Sequence, residues 1–425
     1  MTRVAFFDYP DVFEDFYPHY GVDQRSFARE WSGSANHGIA ALLQREVGDI
    51  IWYERSLAPS EPAPVEHRGG FQVRFVRSSA AHRRLWQRFY LSPDAWRRQQ
   101  RYGAFARAAT YAAPLSTPLV RALAADRPDA FFVQDYANGL FDELVVAARV
   151  LGRPLVAYHS GSFPAGYLAR RPKQWTIKRA DALLVPGAAE RRRLVAEHGV
   201  DPARIHRLLT PIDTKTFAPV DRRAAALAAG LDPDRRYVLF VGRLDDSVKR
   251  ISAIVRAFAA VAADRSDVDL VIAGDGPDRE PLRKFAAGAA PRRVLFPGWV
   301  ADDLAKAALY NAADLLVLAS RSEGFPSVVG ESLACGTPVL ATDAGAVSEL
   351  VHDGETGWLL ANGHDVAVTA ALTAALDRAL AAGQNQRMRD AARQLALTEV
   401  KPAVVGAQLA ALFGELMATT RRPRG

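Results

Sequence analysis

Short runs of β-branched and aromatic apolar residues alternate along this chain with longer Ala-, Leu- and Arg-rich segments. The short runs at 4–8, 50–53, 130–134, 155–158 and 182–185 predict strands, with helices between them at 38–47 and 141–151. Each run is apolar almost throughout, as expected of a strand covered by helices on both faces. Strand–helix alternation of this kind implies parallel sheets and an α/β class.

The alternation stops at 210–221, where TPIDTKTFAPVD is proline-punctuated and lacks any period, the mark of a linker. It then restarts, predicting strands at 237–241, 269–273, 294–296, 315–318, 338–341 and 358–360. The expected organisation is an N-terminal Rossmann-like domain over 1–210, a linker at 211–220 and a C-terminal Rossmann-like domain over 221–400. A helix within 401–425, expected to pack back on the N-terminal domain, ends in the basic tail RRPRG. Two open α/β sheets in tandem are expected to face a deep cleft, because ligands of such sheets bind beyond the carboxyl ends of the strands.

Composition narrows the class. At 425 residues the chain exceeds one ordinary core, and 49% apolar with 24% charged residues suits a globular protein. No stretch of about eighteen uninterrupted apolar residues suggests a spanning helix. The opening MTRVAFFDYP turns acidic and aromatic too early for a secretory signal, so a cytoplasmic protein is expected. The single cysteine, Cys335, excludes an intramolecular disulfide and a cysteine metal cluster; its apolar surroundings predict a buried, inert thiol.

The net charge of +7 is concentrated: residues 68–107 hold ten arginines and one acid, Asp94, interleaved with aromatics such as Phe71, Trp86 and Trp96. Such a stretch can steer an acidic or phosphorylated acceptor, touch an anionic membrane peripherally, or simply face solvent. No zinc-finger, RNA-binding or basic-dimer pattern accompanies it, so a nucleic-acid partner is not expected.

Three constellations carry chemistry. In the first, Glu323-Gly-Phe-Pro-Ser-Val-Val-Gly-Glu331, an apolar strand runs into a helix through Gly324, Phe325, Pro326, Ser327 and Val328. Backbone amides at a helix entrance are a ready diphosphate site, with Ser327 placed to cap it. Glu323 and Glu331 can accept hydrogen bonds from vicinal hydroxyls, one from a donor sugar and the other from a ribose. In the second, Val241-Gly-Arg-Leu ends a strand and Lys249 follows Arg243 by six residues. Two cations there suit a pyrophosphate leaving group without a divalent metal. The third is Gly274-Asp-Gly-Pro277, a tight turn after a strand. The second and third are individually common; the set is not.

Together these pieces resemble the retaining glycosyltransferases of the large family 4, which have the two-domain GT-B architecture. The resemblance runs from about Asp181 to Leu360 and includes PIDTKTFAP, FPGWV, the segment AADLLVLASRSEGFPSVVGESLACGTPVLATDAGAVSELV, and DGETGWLL. It implies that Glu323 contacts the donor sugar, Glu331 the nucleoside, and Arg243 and Lys249 the diphosphate. The backbone near Val300 would meet the base. It also implies retention of anomeric configuration, with no metal or other cofactor and a nucleotide-diphosphate sugar as donor.

The N-terminal half resembles the family more loosely. FFVQDYANGLFDELVVAARVLGRPLVAYHSG follows a pattern that ends near a functional histidine, here His159, able to orient a substrate or handle a proton. Where the family carries a glycine pair after the first strand, this chain has the insert DVFEDFYPHYGVDQRSFAREW, leaving Gly33 and Ser34 as the nearest equivalents. Because this region shapes the acceptor pocket, no acceptor transfers from the family. Arg250 stands where glycine is common after the lysine, a change expected to be tolerated at a helix start.

Rival readings are a GT-B epimerase or phosphorylase, a non-catalytic nucleotide-sugar binder, and a dinucleotide oxidoreductase. The last lacks a G-x-G-x-x-G turn after the first strand. Donor hydrolysis separates an enzyme from a binder, and product analysis separates the enzymes.

Overall fold

The computed structural model describes residues 2–8, 12–31, 35–59, 63–89, 116–159, 170–383 and 385–420. The chain divides into two compact units, Met1–Leu208 with Gly406–Gly425, and Leu209–Val405. Each has its own sheet and core.

The first unit is built on eight strands: β1 (Thr2–Phe7), β2 (Gly48–Ser56), β3 (Val65–Glu66), β4 (Gln72–Arg77), β5 (Ala130–Gln134), β6 (Leu155–Tyr158), β7 (Ala182–Val185) and β8 (Ile205–Arg207). Their order is β3-β4-β2-β1-β5-β6-β7-β8, parallel except for the short β3–β4 pair. Strands β5, β6 and β7 are buried along their whole length, consistent with their unbroken apolar sequence. Strand β4 lies in the arginine-rich stretch, and β3 just before it. In β4 Val73, Phe75 and Val76 are buried while Gln72 and Arg77 face solvent. The helix Ala80–Phe89 follows, with Arg83, Arg84 and Arg88 exposed and His82 fully buried. The remainder of that stretch, 90–107, lies outside the described residues.

The insert after β1 folds as three short helical segments, Phe13–Phe16, Tyr17–Tyr20 and Gln24–Arg29. Its aromatic residues are the reason it folds. The Phe13 ring meets Phe75 edge-on at 5.6 Å and Phe27 meets Trp52 at 5.9 Å. His37 lies 4.5 Å from Trp52. Each such pair adds about 0.5–1.5 kcal/mol beyond its buried area. Glu14 fastens the insert to the end of β2, accepting from the Ser56 hydroxyl at 2.5 Å and the Leu57 amide at 3.0 Å.

The second unit has six parallel strands: β9 (Arg236–Val241), β10 (Val268–Ala273), β11 (Val294–Gly298), β12 (Leu315–Leu318), β13 (Val339–Thr342) and β14 (Gly357–Leu360). Their order is β11-β10-β9-β12-β13-β14. The chain winds outward from β9 through β10 to β11, then returns to β12 on the other side of β9. That reversal creates a switch point between the carboxyl ends of β9 and β12, where the two flanking loops diverge and a ligand can enter.

The last helix, Pro402–Thr420, spans the division between the units and buries Val405, Leu409, Leu412 and Phe413. By length and composition the segment Gln386–Thr419 could cross a membrane, although charged and polar residues interrupt its apolar runs. It is, however, interrupted between Glu399 and Pro402.

Candidate functional site

The loops at the carboxyl end of the second sheet are seated by close backbone contacts. A Cβ on Gly274 would stand 1.9 Å from the Gly242 carbonyl oxygen, and one on Gly276 would stand 2.5 Å from that of Leu244. The GRL and GDGP turns therefore lie backbone against backbone. They are joined by hydrogen bonds from the Gly242 amide to the Ala273 carbonyl (3.0 Å) and from the Leu244 amide to the Asp275 carbonyl (2.9 Å). Glycine is needed here to permit that approach. A third contact seats the loop after β12: Gly345, at φ 62°, would place a Cβ 1.9 Å from the Glu323 carbonyl oxygen.

These contacts bring the predicted residues to the switch point. Lys249 ends the short helix Asp246–Lys249 beyond β9, and its Nζ donates to Glu323 Oε1 at 2.5 Å. Ser320 donates to the same oxygen at 2.5 Å. The Glu323 side chain is only 9% exposed, so this ion pair is screened little by solvent. Arg243 lies exposed on the turn directly after β9.

Gly324, Phe325 and Pro326 lead into the helix Ser327–Ala334, with Phe325 and Pro326 buried and Ser327 and Val328 half-buried. The cap is Pro326 and not Ser327 as expected: the helix begins one residue earlier, and no side chain caps it. The Val329 amide donates to the Pro326 carbonyl at 3.0 Å, and proline's ring offers no acceptor, so the entrance presents the amides of Ser327 and Val328 without a competing side-chain cap.

Glu331 sits four residues into this helix and is buried. It accepts from the Tyr310 hydroxyl at 2.8 Å, with Lys306 Nζ 3.8 Å from its other oxygen. Burial raises its pKa above the usual carboxylate range, against the charge of Lys306 and the Tyr310 hydrogen bond. Cys335 is fully buried, and desolvation pushes its thiol to about 12, fitting an inert role. Val300 is half-buried after β11, beside the exposed Trp299.

Arg250 departs from the expectation of an ordinary helix start. It lies between two helices at φ 49° and ψ 43°, the left-handed conformation that explains why glycine suits this position. A left-handed backbone costs a residue with a Cβ roughly 1–2 kcal/mol. Against that cost, its buried guanidinium donates to Asp365 Oδ1 (2.9 Å), Asn362 Oδ1 (2.8 Å), the Ala319 carbonyl (3.2 Å) and the Gly363 carbonyl (2.5 Å). Hydrogen bonds to a charged group are worth about 1.5–3 kcal/mol each, so the side chain outweighs the strain.

In the first unit, β1 and β5 form the corresponding reversal. His159 follows β6, buried, with Nδ1 2.9 Å from Asp135 Oδ1. Burial alone would lower the imidazole pKa, but the Asp135 hydrogen bond and charge, with Glu190 behind, raise it above the ordinary value. Asp135 is held charged in turn, its pKa lowered by His159 and the Ala137 amide despite burial. Tyr136 lies against the His159 ring and donates to Glu190, which Arg193 also binds. Buried Lys173 fixes the loop after β5 through the carbonyls of Tyr136 (3.0 Å) and Asn138 (2.9 Å) and through Asp142 (2.7 Å).

The structure thus brings Lys249 and Glu323 into contact and places Glu331, Gly274 and the 324–328 entrance within the same unit. Gly33 and Ser34 lie outside the described residues. Sequence reasoning missed Asp135, Tyr310 and Lys306. Asp135 was findable, since it directly follows β5; Tyr310 and Lys306 lie mid-helix with no local signal. Among the described residues no group of three or more His, Cys, Asp or Glu side chains is arranged to hold a metal ion.

Known proteins share the family and the fold of this chain. Residues 235–378 match the family model described as glycosyl transferases group 1, and residues 62–216 match glycosyltransferase family 4. The chain is 37% identical over 217 residues to a D-inositol 3-phosphate glycosyltransferase of Mycobacterium sp. (strain KMS), covering 49% of this chain and 48% of that protein. It is 38% identical over 213 residues to its namesake in Mycobacterium tuberculosis (strain ATCC 25177 / H37Ra), covering 49% and 44%. The chain spans about half the length of the curated relatives it matches. Among solved structures it resembles sucrose-phosphate synthase from Thermosynechococcus elongatus (TM-score 0.73, 19% identity, 99% of this chain and 100% of that one). It also resembles Anabaena Alr3699/HepE in complex with UDP and glucose (TM-score 0.67, 16% identity, 98% and 100%). At these identities the likeness shows the fold.

Proposed function

Because the chain belongs to the family 4 glycosyltransferases and has the GT-B fold, we propose that it transfers a sugar from a nucleotide-diphosphate sugar to a hydroxyl acceptor, with retention and without a metal. The observation that carries this reading is the Lys249–Glu323 pair at the switch point of β9 and β12, beside a helix entrance with no side-chain cap.

In the proposed reaction the diphosphate lies against Arg243, Lys249 and the amides of Ser327 and Val328. Charge on the departing oxygen grows as the bond to the anomeric carbon breaks, and fixed cations and amides stabilise it without reorganising. The acceptor oxygen bonds to that carbon from the same face, and its proton passes to the leaving diphosphate. Glu323 accepts from hydroxyls of the donor ring and Glu331 from those of the ribose. The backbone near Val300 meets the base, with Gly274 leaving room for close approach. His159, its Nδ1 held by Asp135, orients a substrate hydroxyl or moves a proton through Nε2. The exposed Arg83, Arg84 and Arg88 suit an anionic acceptor, the kind named for the mycobacterial relatives. UDP, which the Anabaena protein binds, is the first nucleotide to test.

Thermal-shift screening of UDP, ADP and GDP and their sugar conjugates identifies the donor, since a ligand of the native state raises apparent stability. Donor turnover is then followed with and without chelator, and the anomeric configuration of the product is read by NMR. Loss of turnover with chelator, or an inverted product, overturns the corresponding part of the proposal.

A further inference from the structure

Arg250 joins three loops of the second unit. Its backbone directly follows Lys249 at the end of the β9 loop. Its guanidinium reaches the carbonyl of Ala319 at the end of β12, and Asn362, Gly363 and Asp365 beyond β14. The same loops are cross-tied by Arg321, whose amide donates to the Val248 carbonyl at 2.8 Å. Its guanidinium donates to the Ser247 carbonyl at 2.9 Å and to Asp365 at 2.5 Å. The arrangement is specific to a long planar donor: one guanidinium satisfies a carboxylate, an amide oxygen and two carbonyls at once, which an ammonium could not match in direction. Glycine at this position would adopt the same backbone without strain but would remove one of the two arginine ties between the three loops.

We propose that Arg250 is a positioning residue that fixes Lys249 for binding the donor's diphosphate. The inference rests on the reading of Lys249 as a diphosphate-binding cation. Arg250 touches no substrate; it sets the place of the β9 loop relative to the loop that carries Glu323. Lys249 reaches Glu323 through a flexible side chain, so its position depends on where its backbone is held.

The test compares UDP with uridine as probes in calorimetry, with the other nucleoside diphosphate–nucleoside pairs used if the native protein prefers them. Arg250→Gly relieves the left-handed strain but gives up the guanidinium's hydrogen bonds, so a thermal melt accompanies each titration to show that the variant is folded. It should lose roughly tenfold or more in UDP affinity while binding uridine within about twofold of native. In a Lys249→Ala background, adding Arg250→Gly should cost no further UDP affinity, because both changes act through the same ammonium. Asp365→Asn, at an exposed helix start, should give a smaller loss in the same direction. Unchanged UDP binding by Arg250→Gly, equal losses for UDP and uridine, or additive losses in the double variant would overturn the proposal. If Lys249→Ala alone leaves UDP binding unchanged, the underlying reading of Lys249 fails, and the proposal with it.

Discussion

Lys249 Nζ and Glu323 Oε1 are 2.5 Å apart, which joins the principal proposed phosphate-binding cation to the proposed sugar-binding carboxylate. Each satisfies the other's charge in a setting where the carboxylate is nearly buried, and Ser320 holds the same oxygen. Glu323→Ala should fold and lower turnover by roughly two to four orders of magnitude, the scale of losing key transition-state contacts. Steady-state kinetics beside a thermal melt separates this from misfolding. Near-native turnover would remove Glu323 from the mechanism.

The Asp135–His159 pair gives a pH dependence of defined sign. The raised imidazole pKa means that its contribution to stability is complete below about 6.5, the unfolded value, and is lost as pH rises through the folded value. Asp135→Asn, which tolerates the left-handed backbone at φ 68°, should therefore lower the melting temperature more at pH 6 than at pH 9. Equal losses at both pH values would mean that the pair carries no charge. Glu190, Arg193 and Lys173 stay constant in the comparison.

Glu331 works in the opposite sense, against its own fold. Its raised pKa means that ionising it near neutrality opposes folding, and this penalty disappears below the unfolded value near 4.5. Glu331→Gln should thus raise the melting temperature at pH 7, with the gain fading towards pH 4, while lowering nucleoside affinity. A substitution that stabilises and impairs binding together is expected of a functional residue. Destabilisation at pH 7 would show that Lys306 and Tyr310 more than offset the burial.

Gly345 and Gly354 form a matched pair. Both have positive φ, but only at Gly345 does a Cβ meet other atoms, 1.9 Å from the Glu323 carbonyl oxygen; at Gly354 nothing lies within 4 Å. Gly354→Ala should cost about 1–2 kcal/mol of backbone strain and leave turnover unchanged. Gly345→Ala should add overpacking of about 1–3 kcal/mol and displace Glu323, so turnover falls as well. Chemical denaturation with activity measured on the folded fraction distinguishes the two.

Strands with unbroken apolar sequence were legible to the residue: 130–134, 155–158, 182–185 and 315–318 agree with β5, β6, β7 and β12. Strand β4 was not, because QVRFVR places arginines among its apolar residues and the surrounding run of positive charge masked the alternation. Strand β8 is only three residues long, too short to show a period. The site divides along the same line. Lys249, Glu323 and Glu331 sit on loops whose glycines and spacing mark them out, whereas Tyr310 and Lys306 reach Glu331 from another helix, and only tertiary packing brings them there.

The interlocked glycines of the GRL and GDGP turns bear on engineering of donor choice. Since the backbone at 274 rests on that at 242, and 276 on 244, neither segment is a free cassette. Grafting one turn alone from a relative would import a surface cut to fit a different neighbour. Residues 242–244 and 274–277 should travel as a single exchange unit.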